Sequence, residues 1–247
     1  MKTSNARSTI ATALKEGYMH ESTAQKQQSQ SAKKVHFFSV SGMRGSGRTE
    51  VFKGLKRTVP ITFPQHSCAF LEDPFGKLPH PLLWAESERT QHPVTRLFKC
   101  WAHLNEFNAR HLKPALAAHD VVITDGYGLN AVLYATACVD CESVDNEVLS
   151  MHHGIVAARI KEQGIEPPEY FITRADSEVV SCYLASSVLV GMGKDACHSF
   201  IEKEEAIIDA YFDPGHGQKV PHMLNAALSH AHMCKEAMAV IRQRLLS

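Results

Sequence analysis

Residues 41–50, SGMRGSGRTE, bring glycines, a hydroxyl group and two arginines together directly after the apolar run VHFFSV. The positions of Gly42, Gly47 and Thr49 match a phosphate-binding loop, in which Gly, four residues and Gly are followed by Lys and then Ser or Thr. Backbone N–H groups of such a loop and of the helix that follows it bind phosphate oxygens, and its hydroxyl can hold Mg²⁺. Arg48 replaces the lysine, which preserves the charge but not its geometry. The pattern predicts a phosphate site; an ordinary glycine-rich turn is the alternative.

The carboxylate of Asp125 is a second group at a position suited to this chemistry. It ends the apolar run HDVVITD, one long crossover after the loop. Phosphoryl-transfer proteins can place there the acid that orients Mg²⁺ or polarises the acceptor group. We therefore predict Thr49 and Asp125 as metal ligands, and expect the whole loop to bind the donor phosphates. The predicted loop residues are Gly42, Met43, Arg44, Gly45, Ser46, Gly47, Arg48 and Thr49.

The spacing of apolar residues predicts the strands and helices around these groups. Runs at 35–40, 119–125 and 168–176 are rich in β-branched and aromatic residues and predict buried strands. Segments with helical spacing of apolar residues lie between and after them, at 49–59, 94–118, 151–165, 195–213 and 224–246. Strands that alternate with helices predict an α/β fold of three layers, with a mainly parallel sheet flanked by helices. The loop would then join a strand to a helix, as phosphate binding requires.

The N-terminal part of the chain has a different composition from the rest. Residues 1–33 end in a stretch rich in Gln, Ser and Lys, which is too polar to bury much surface. We predict a flexible tail here and a folded domain at 34–247. A short docking helix that includes Ile10 and Leu14 is the alternative for the first part of the tail.

The overall composition limits the kinds of binding partner and the cellular compartment that we expect for this chain. The 26 basic and 26 acidic side chains balance, which argues against nucleic acid or an anionic membrane as the main partner. Seven cysteines, an odd number spread over a long chain, favour a reducing compartment. No apolar run approaches the roughly 18 residues of a membrane span, and the N-terminus lacks the apolar segment of a secretory signal. We expect a cytoplasmic protein.

A family resemblance emerges from longer stretches. The run LKPALAAHDVVITDGYGLNAVLYATA, residues 112–137, resembles a thymidylate kinase segment with a helix ending in Pro-Ala-Leu, a strand, an Asp-Arg-Tyr-like triplet and another helix. Asp125, Tyr127 and Tyr134 fall in register with it without a gap. EDPFGKLPH is similar to the family's Arg-Glu-Pro-Gly-Gly-Thr stretch, and GKDACHSFIEKEEAIIDAYFD is similar to the end of its lid and the next helix. The resemblance covers residues 35 to about 213.

The resemblance implies a P-loop NTPase fold and transfer of the γ-phosphate of ATP to a nucleoside monophosphate, typically dTMP, with Mg²⁺. It implies that Asp73 and Pro74 lie at the acceptor phosphate and that Phe98 stacks on the acceptor base. Tyr127 and Tyr134 would also belong to the acceptor site. A homodimer formed through helices is implied as well.

The chain departs from the family where positive charge is expected. The arginine before Glu-Pro is Glu72 here, and that of the Asp-Arg-Tyr triplet is Gly126. The lid segment SSVLVGMGKDACHS offers only Lys194. Phosphoryl transfer depends on positive charge around its transition state, so these losses bear directly on activity.

Other cations could replace the missing arginines. We hypothesise that Arg44, inside the loop, neutralises the transition state. With Arg48, Lys194 and Asp125 it forms the predicted catalytic set. Arg89 and Arg96 are further candidates on the acceptor side.

Two further alternatives stay open on the sequence. A nucleotide-binding protein of the same fold could have lost turnover and act through partners, or the enzyme could use a nucleoside or an unusual deoxynucleotide as acceptor. Cys138 and Cys141 form a C-x-x-C motif with His152 and His153 shortly after it, which would suit Zn²⁺. Packing of these side chains in a helix is the competing interpretation.

Overall fold

The computed structural model describes residues 34–72, 74–75, 92–136, 146–178, 180, 194–214 and 219–247. Residues Val35–Ser247 belong to one compact unit. Its strands are β1 (His36–Gly42), β2 (Cys68–Leu71), β3 (Val121–Asp125), β4 (Glu169–Arg174) and β5 (His222–Asn225). Its α-helices are α1 (Arg48–Thr62), α2 (Pro93–Phe107), α3 (Lys113–Ala118), α4 (Gly128–Thr136), α5 (Asn146–Gln163), α6 (Lys194–Tyr211) and α7 (His230–Leu245).

The strands form one parallel sheet with the order β2-β3-β1-β4-β5. Every residue of β3 is buried, because helices cover both faces of a central parallel strand. Val40 of β1 pairs with Asp125 of β3, so the carboxyl ends of these strands meet at the same edge of the sheet. This register places the predicted carboxylate beside the glycine-rich loop.

Two hydrophobic clusters lie on opposite faces of the sheet. Alternate strand residues such as Phe38 and Ile123 pack with α1 and α7. Residues of the opposite parity, including Val122 and Ile172, pack with α2, α4, α5 and α6. Alternation of side chains along each strand thus produces three layers, and the predicted α/β fold is confirmed.

Two parts of the sequence-based assignment were wrong. The predicted helix at 224–246 begins only at His230, because Ser229 caps it, while Leu224 and Asn225 belong to β5. The predicted helix at 94–118 is divided by a π-helical turn, Asn108–Leu112. The short strand β2 was not predicted, and its four residues are too few to show a clear pattern.

The buried imidazole of His152 makes stability depend on pH. His152 has no exposed surface, and its Nε2 lies 3.3 Å from the hydroxyl of Tyr211. Burial, assisted by the neighbouring charge of His153, lowers the pKa of His152 to about 3. The folded protein therefore keeps this ring neutral at pH values where the unfolded chain protonates it.

We expect the free energy of unfolding to fall between pH 7 and pH 5 by about 2 kcal/mol through His152 alone. The sign follows because a proton that binds the unfolded chain below its pKa of about 6.5 stabilises that state. Urea titrations at both pH values would measure the fall, which should be smaller by this amount in a His152→Gln variant. His198→Gln, at a partly exposed position on α6, is the matched control and should leave the fall unchanged. An equal fall in both variants would contradict the prediction.

Candidate functional site

The glycine-rich loop connects β1 to α1 and adopts backbone angles that favour glycine. Gly42 has a φ of +136° and Gly47 a φ of +85°. A Cβ atom on Gly42 would lie 2.2 Å from the carbonyl oxygen of Thr173, and one on Gly47 would lie 2.5 Å from Nε2 of His230. The loop thus passes close to β4 on one side and to the start of α7 on the other.

Hydrogen bonds from the interior of the loop fix it to β4. The Ser46 hydroxyl donates to the Met43 carbonyl at 2.6 Å, and its oxygen is also 2.6 Å from Oγ1 of Thr173. The backbone N–H of Met43 donates to the Thr173 carbonyl at 3.2 Å. Met43 and Ser46 are buried, and the backbone N–H of Ser46 also donates to the Met43 carbonyl at 3.3 Å, so these two residues hold the loop in place.

The N-terminus of α1 supplies an anion-binding surface. The first N–H groups of an α-helix have no partner within the helix, and they carry the positive end of its dipole. Gly47 occupies the N-cap and has no side chain that could accept a hydrogen bond from them. Over a helix of 15 residues, this arrangement is the one that phosphate-binding loops use.

The two predicted metal ligands lie together. Oγ1 of Thr49 is 3.5 Å from Oδ2 of Asp125, and Nε of Arg48 is 2.9 Å from Oδ1 of the same carboxylate. A hydroxyl and a carboxylate oxygen on one edge are the hard ligands that Mg²⁺ prefers, so the residues fit this ion. Arg48 forms an ion pair with the other carboxylate oxygen.

Arg44 lies in a different environment from the one its hypothesised role requires. Its guanidinium forms an ion pair with Glu204 of α6, and its backbone N–H donates to Oε2 of the same carboxylate at 3.0 Å. The guanidinium also lies over the rings of Tyr134 and Phe200, at 4.7 and 5.5 Å from their centroids. Neutralising a phosphate would require it to leave a carboxylate that has no exposed surface, so its catalytic role remains a prediction.

A cleft of about 770 Å³ opens beside the metal pair. Its described lining includes Thr49, Asp125, Pro74 and Glu72, and further side chains, most of them aromatic or cationic, from α1, β2, the end of α2 and the π-helical turn after it. These are Phe52, Lys53, Lys56, Phe70, Leu71, His103, Glu106, Phe107, Arg110 and His111. The predicted acceptor residue Pro74 therefore lies in the wall of a cleft that Thr49 and Asp125 also line.

The structure does not bring Phe98 to this cleft. Its side chain is 55% exposed, and it is not part of the described cleft wall. Phe107 of the same helix lines the cleft instead, nine positions later and so half a turn around the helix axis. A role of Phe98 at the acceptor base therefore remains a prediction, and it finds no support in the position of this side chain.

Tyr127 and Tyr134 are buried, and neither belongs to the described cleft wall. The Tyr127 hydroxyl donates to Oδ1 of Asn108 at 3.1 Å, and that of Tyr134 lies 3.5 Å from the Phe75 carbonyl. Arg96 is buried as well, and its Nε donates to the Ala135 carbonyl at 2.6 Å. These contacts support the walls of the site rather than forming its surface.

Several predicted residues lie outside the described part of the chain: Asp73, Arg89, Cys138, Cys141 and the side chain of Lys194. Within the described ranges, no group of three or more His, Cys, Asp or Glu side chains is placed to hold a metal ion. The same ranges contain no helix long and apolar enough to span a bilayer.

Comparison with known proteins agrees with this architecture. No protein-family model matches the chain. A stretch of 99 residues is 24% identical to the thymidylate kinase of Mycoplasma genitalium and covers 40% of this chain and 47% of that kinase. The chain thus spans about half the length of this curated relative. The crystal structure of thymidylate kinase from Ehrlichia chaffeensis superposes with a TM-score of 0.53 and 16% identity, over 85% of this chain and 99% of that one.

The chain is a divergent protein with the thymidylate kinase-like fold. The resemblance predicted from its motifs is therefore confirmed. One departure of this chain from the family pattern has a structural counterpart. A Cβ atom at Gly126 would lie 2.2 Å from Nδ2 of Asn130, and the φ of +82° favours glycine, so this backbone does not accommodate an arginine there.

The cleft is also lined by cations that the sequence motifs do not identify. Lys53 and Lys56 follow the loop on α1, and Arg110 lies beyond α2. Lys53 pairs with Glu50 at 2.8 Å, and Lys56 is 3.9 Å from Glu72. The spacing of three residues between the lysines was the available signal, since it places them on one side of a helix.

Proposed function

We propose that this chain is an ATP- and Mg²⁺-dependent kinase that transfers a phosphoryl group to a nucleoside monophosphate, with dTMP or a related deoxynucleotide as the acceptor. The observation that carries the proposal is the position of Thr49 and Asp125. Thr49 follows the glycine-rich loop, Asp125 ends β3 beside it, and both line the 770 Å³ cleft, so a donor phosphate and an acceptor would meet at this pair.

Different residues of the site would bind the phosphates, hold the metal ion and supply positive charge. Loop N–H groups and the start of α1 would hold the donor phosphates, and Thr49 and Asp125 would hold Mg²⁺. When bound, this ion would offset the charge that spreads over the transferred group. Arg48 would add a fixed positive charge beside the same phosphates. The cleft lysines and histidines would attract the acceptor phosphate, and Phe107 offers a ring to its base.

A panel of acceptors tests this function. ADP release is measured with ATP, Mg²⁺ and each nucleoside monophosphate or nucleoside in turn, and ATP binding is measured by calorimetry on the same protein. Release that is fastest with dTMP or another deoxynucleoside monophosphate would support the proposal. Release with a nucleoside would show that the acceptor is a nucleoside instead of a nucleoside monophosphate.

Replacement of Asp125 by Asn should lower kcat by about 100-fold or more, because a metal-held charge contributes several kcal/mol to the transition state. Asp120→Asn is the matched control, since Asp120 lies just before the same strand, where it accepts hydrogen bonds from Ser67. The control should retain kcat. Equal kcat values for both variants would show that Asp125 does not serve the metal.

The alternative is a nucleotide-binding protein that has lost turnover and acts through partners, with residues 1–33 as the tail that binds them. The ion pairs of Arg44 with Glu204 and of Arg48 with Asp125 favour it, because both loop arginines have carboxylate partners. ATP binding without ADP release for any acceptor would support this function. The homodimer, the cytoplasmic location and the division at residue 34 remain predictions, as does the expectation that nucleic acid is not a partner.

A further inference from the structure

The ion pair between Arg48 and Asp125 places a permanent cation where a magnesium ion would be needed. Nε of Arg48 is 2.9 Å from Oδ1 of Asp125, while Oγ1 of Thr49 is 3.5 Å from Oδ2. Only 21% of the Arg48 side chain and 10% of the Asp125 side chain are exposed. Little water therefore screens the attraction, and a metal ion that binds Asp125 must compete with the guanidinium.

An arginine can make this pair and still serve phosphate, whereas a lysine cannot do both in the same way. The guanidinium has three nitrogens in a rigid plane, and its Nε lies 2.9 Å from Oδ1 of Asp125. Its two terminal nitrogens lie further along the side chain and suit phosphate oxygens. A lysine has a single ammonium group, which must be shared between the carboxylate and the phosphate. With arginine in place of lysine at this position, one side chain can thus pair with the Asp125 carboxylate and with a phosphate at the same time.

The position of Arg48 in the loop supports the same conclusion. It is the first residue of α1, directly after the N-cap Gly47, so its side chain starts at the surface that would bind the donor phosphates. Arginine is also protonated at any physiological pH. The loop therefore carries its own counter-charge whether or not a divalent ion is bound.

We propose that Arg48 acts as a built-in counter-ion, so that this chain binds nucleoside triphosphate with little dependence on Mg²⁺, and Mg²⁺ gains Asp125 only by displacing Arg48. The proposal rests on the proposed function, since it concerns the same donor site. It concerns binding and is independent of whether turnover occurs.

Calorimetric titration of ATP into the full-length chain, in Mg²⁺ and in EDTA, tests this directly. For the wild type we expect the Kd to change by less than about threefold when Mg²⁺ is removed. For Arg48→Lys we expect it to rise by about tenfold or more, equivalent to about 1.4 kcal/mol. Arg57→Lys carries the same change at an exposed position on α1 and should behave as the wild type.

The outcomes separate the two proposals. Equal loss of affinity in the wild type and in Arg48→Lys on removal of Mg²⁺ would overturn the counter-ion role and leave the kinase proposal intact. Absence of ATP binding by the wild type in both buffers would overturn both.

A second variant covers the case in which Arg48→Lys does not fold. In EDTA, Asp125→Asn should bind ATP at least as tightly as the wild type, because a carboxylate that repels phosphate is removed while the guanidinium stays. Weaker binding by Asp125→Asn in EDTA would contradict the proposal.

Discussion

Replacement of Glu204 by Gln is expected to lower the free energy of unfolding by about 3–5 kcal/mol, the cost of breaking a buried ion pair from one side. Glu204 has no exposed surface, and its carboxylate accepts a hydrogen bond from the backbone N–H of Arg44 while pairing with the guanidinium. Without this carboxylate, the guanidinium of Arg44, whose side chain is only 13% exposed, loses a counter-charge that water replaces poorly. Urea denaturation followed by circular dichroism would measure the loss.

The adjacent residue provides a matched control. Glu205 pairs with Arg174 at 2.5 Å, but its side chain is 29% exposed, and Asp209 binds the same guanidinium. Glu205→Gln should therefore cost less than about 1 kcal/mol. A similar, small loss in both variants would show that the Arg44 pair is hydrated in solution.

A double variant separates charge from packing. Arg44→Met with Glu204→Leu removes both charges and keeps apolar volume beside Tyr134 and Phe200. Because a buried pair can often be replaced by apolar side chains at little cost, this variant should recover most of the stability that Glu204→Gln loses. Its ATP affinity would also show whether the loop needs Arg44 for binding.

Replacement of Gly42 by Ala should lower the free energy of unfolding by about 3 kcal/mol or more, through an unfavourable φ and a clash that a well-packed interior cannot absorb. The new Cβ would lie 2.2 Å from a backbone oxygen of Thr173 and 2.5 Å from its Oγ1. Relief requires β1 and β4 to separate at the point where the loop begins, so we also expect loss of ATP binding by calorimetry.

Gly154→Ala is the matched control for this substitution. Gly154 lies within α5, and no atom lies within 4 Å of a Cβ built there. Alanine is the better helix former, so this variant should gain up to about 1 kcal/mol and bind ATP as the wild type does. Normal stability and binding in Gly42→Ala would mean that the loop does not pack against Thr173 in solution.

The short-range features of the site were predictable from the sequence. The spacing of Gly42, Gly47 and Thr49 is a local pattern, and the apolar run before Asp125 identified a central strand that the structure contains. Because parallel strands present their carboxyl ends at one edge, this information was enough to bring Thr49 and Asp125 together. The roles of these residues remain predictions, but their proximity is a property of the structure.

The sequence did not predict which side chains of a helix face the cleft. Phe98 and Phe107 share a helix and a residue type, and only the packing of that helix decides which of them faces the cleft. The short edge strands β2 and β5 contain four residues each, too few for a pattern to distinguish them from loops.

By itself, the sequence determined the three-layer α/β architecture, the loop between β1 and α1, and the carboxylate beside it, because these depend on local spacing and on strand direction. Only the tertiary structure decided that Arg44 pairs with Glu204, which lies 160 positions later in the chain, and that Arg48 pairs with Asp125. The physical reason is that the partner of a charge is set by which elements the packed core brings within a few ångströms, and no spacing along the chain encodes that distance.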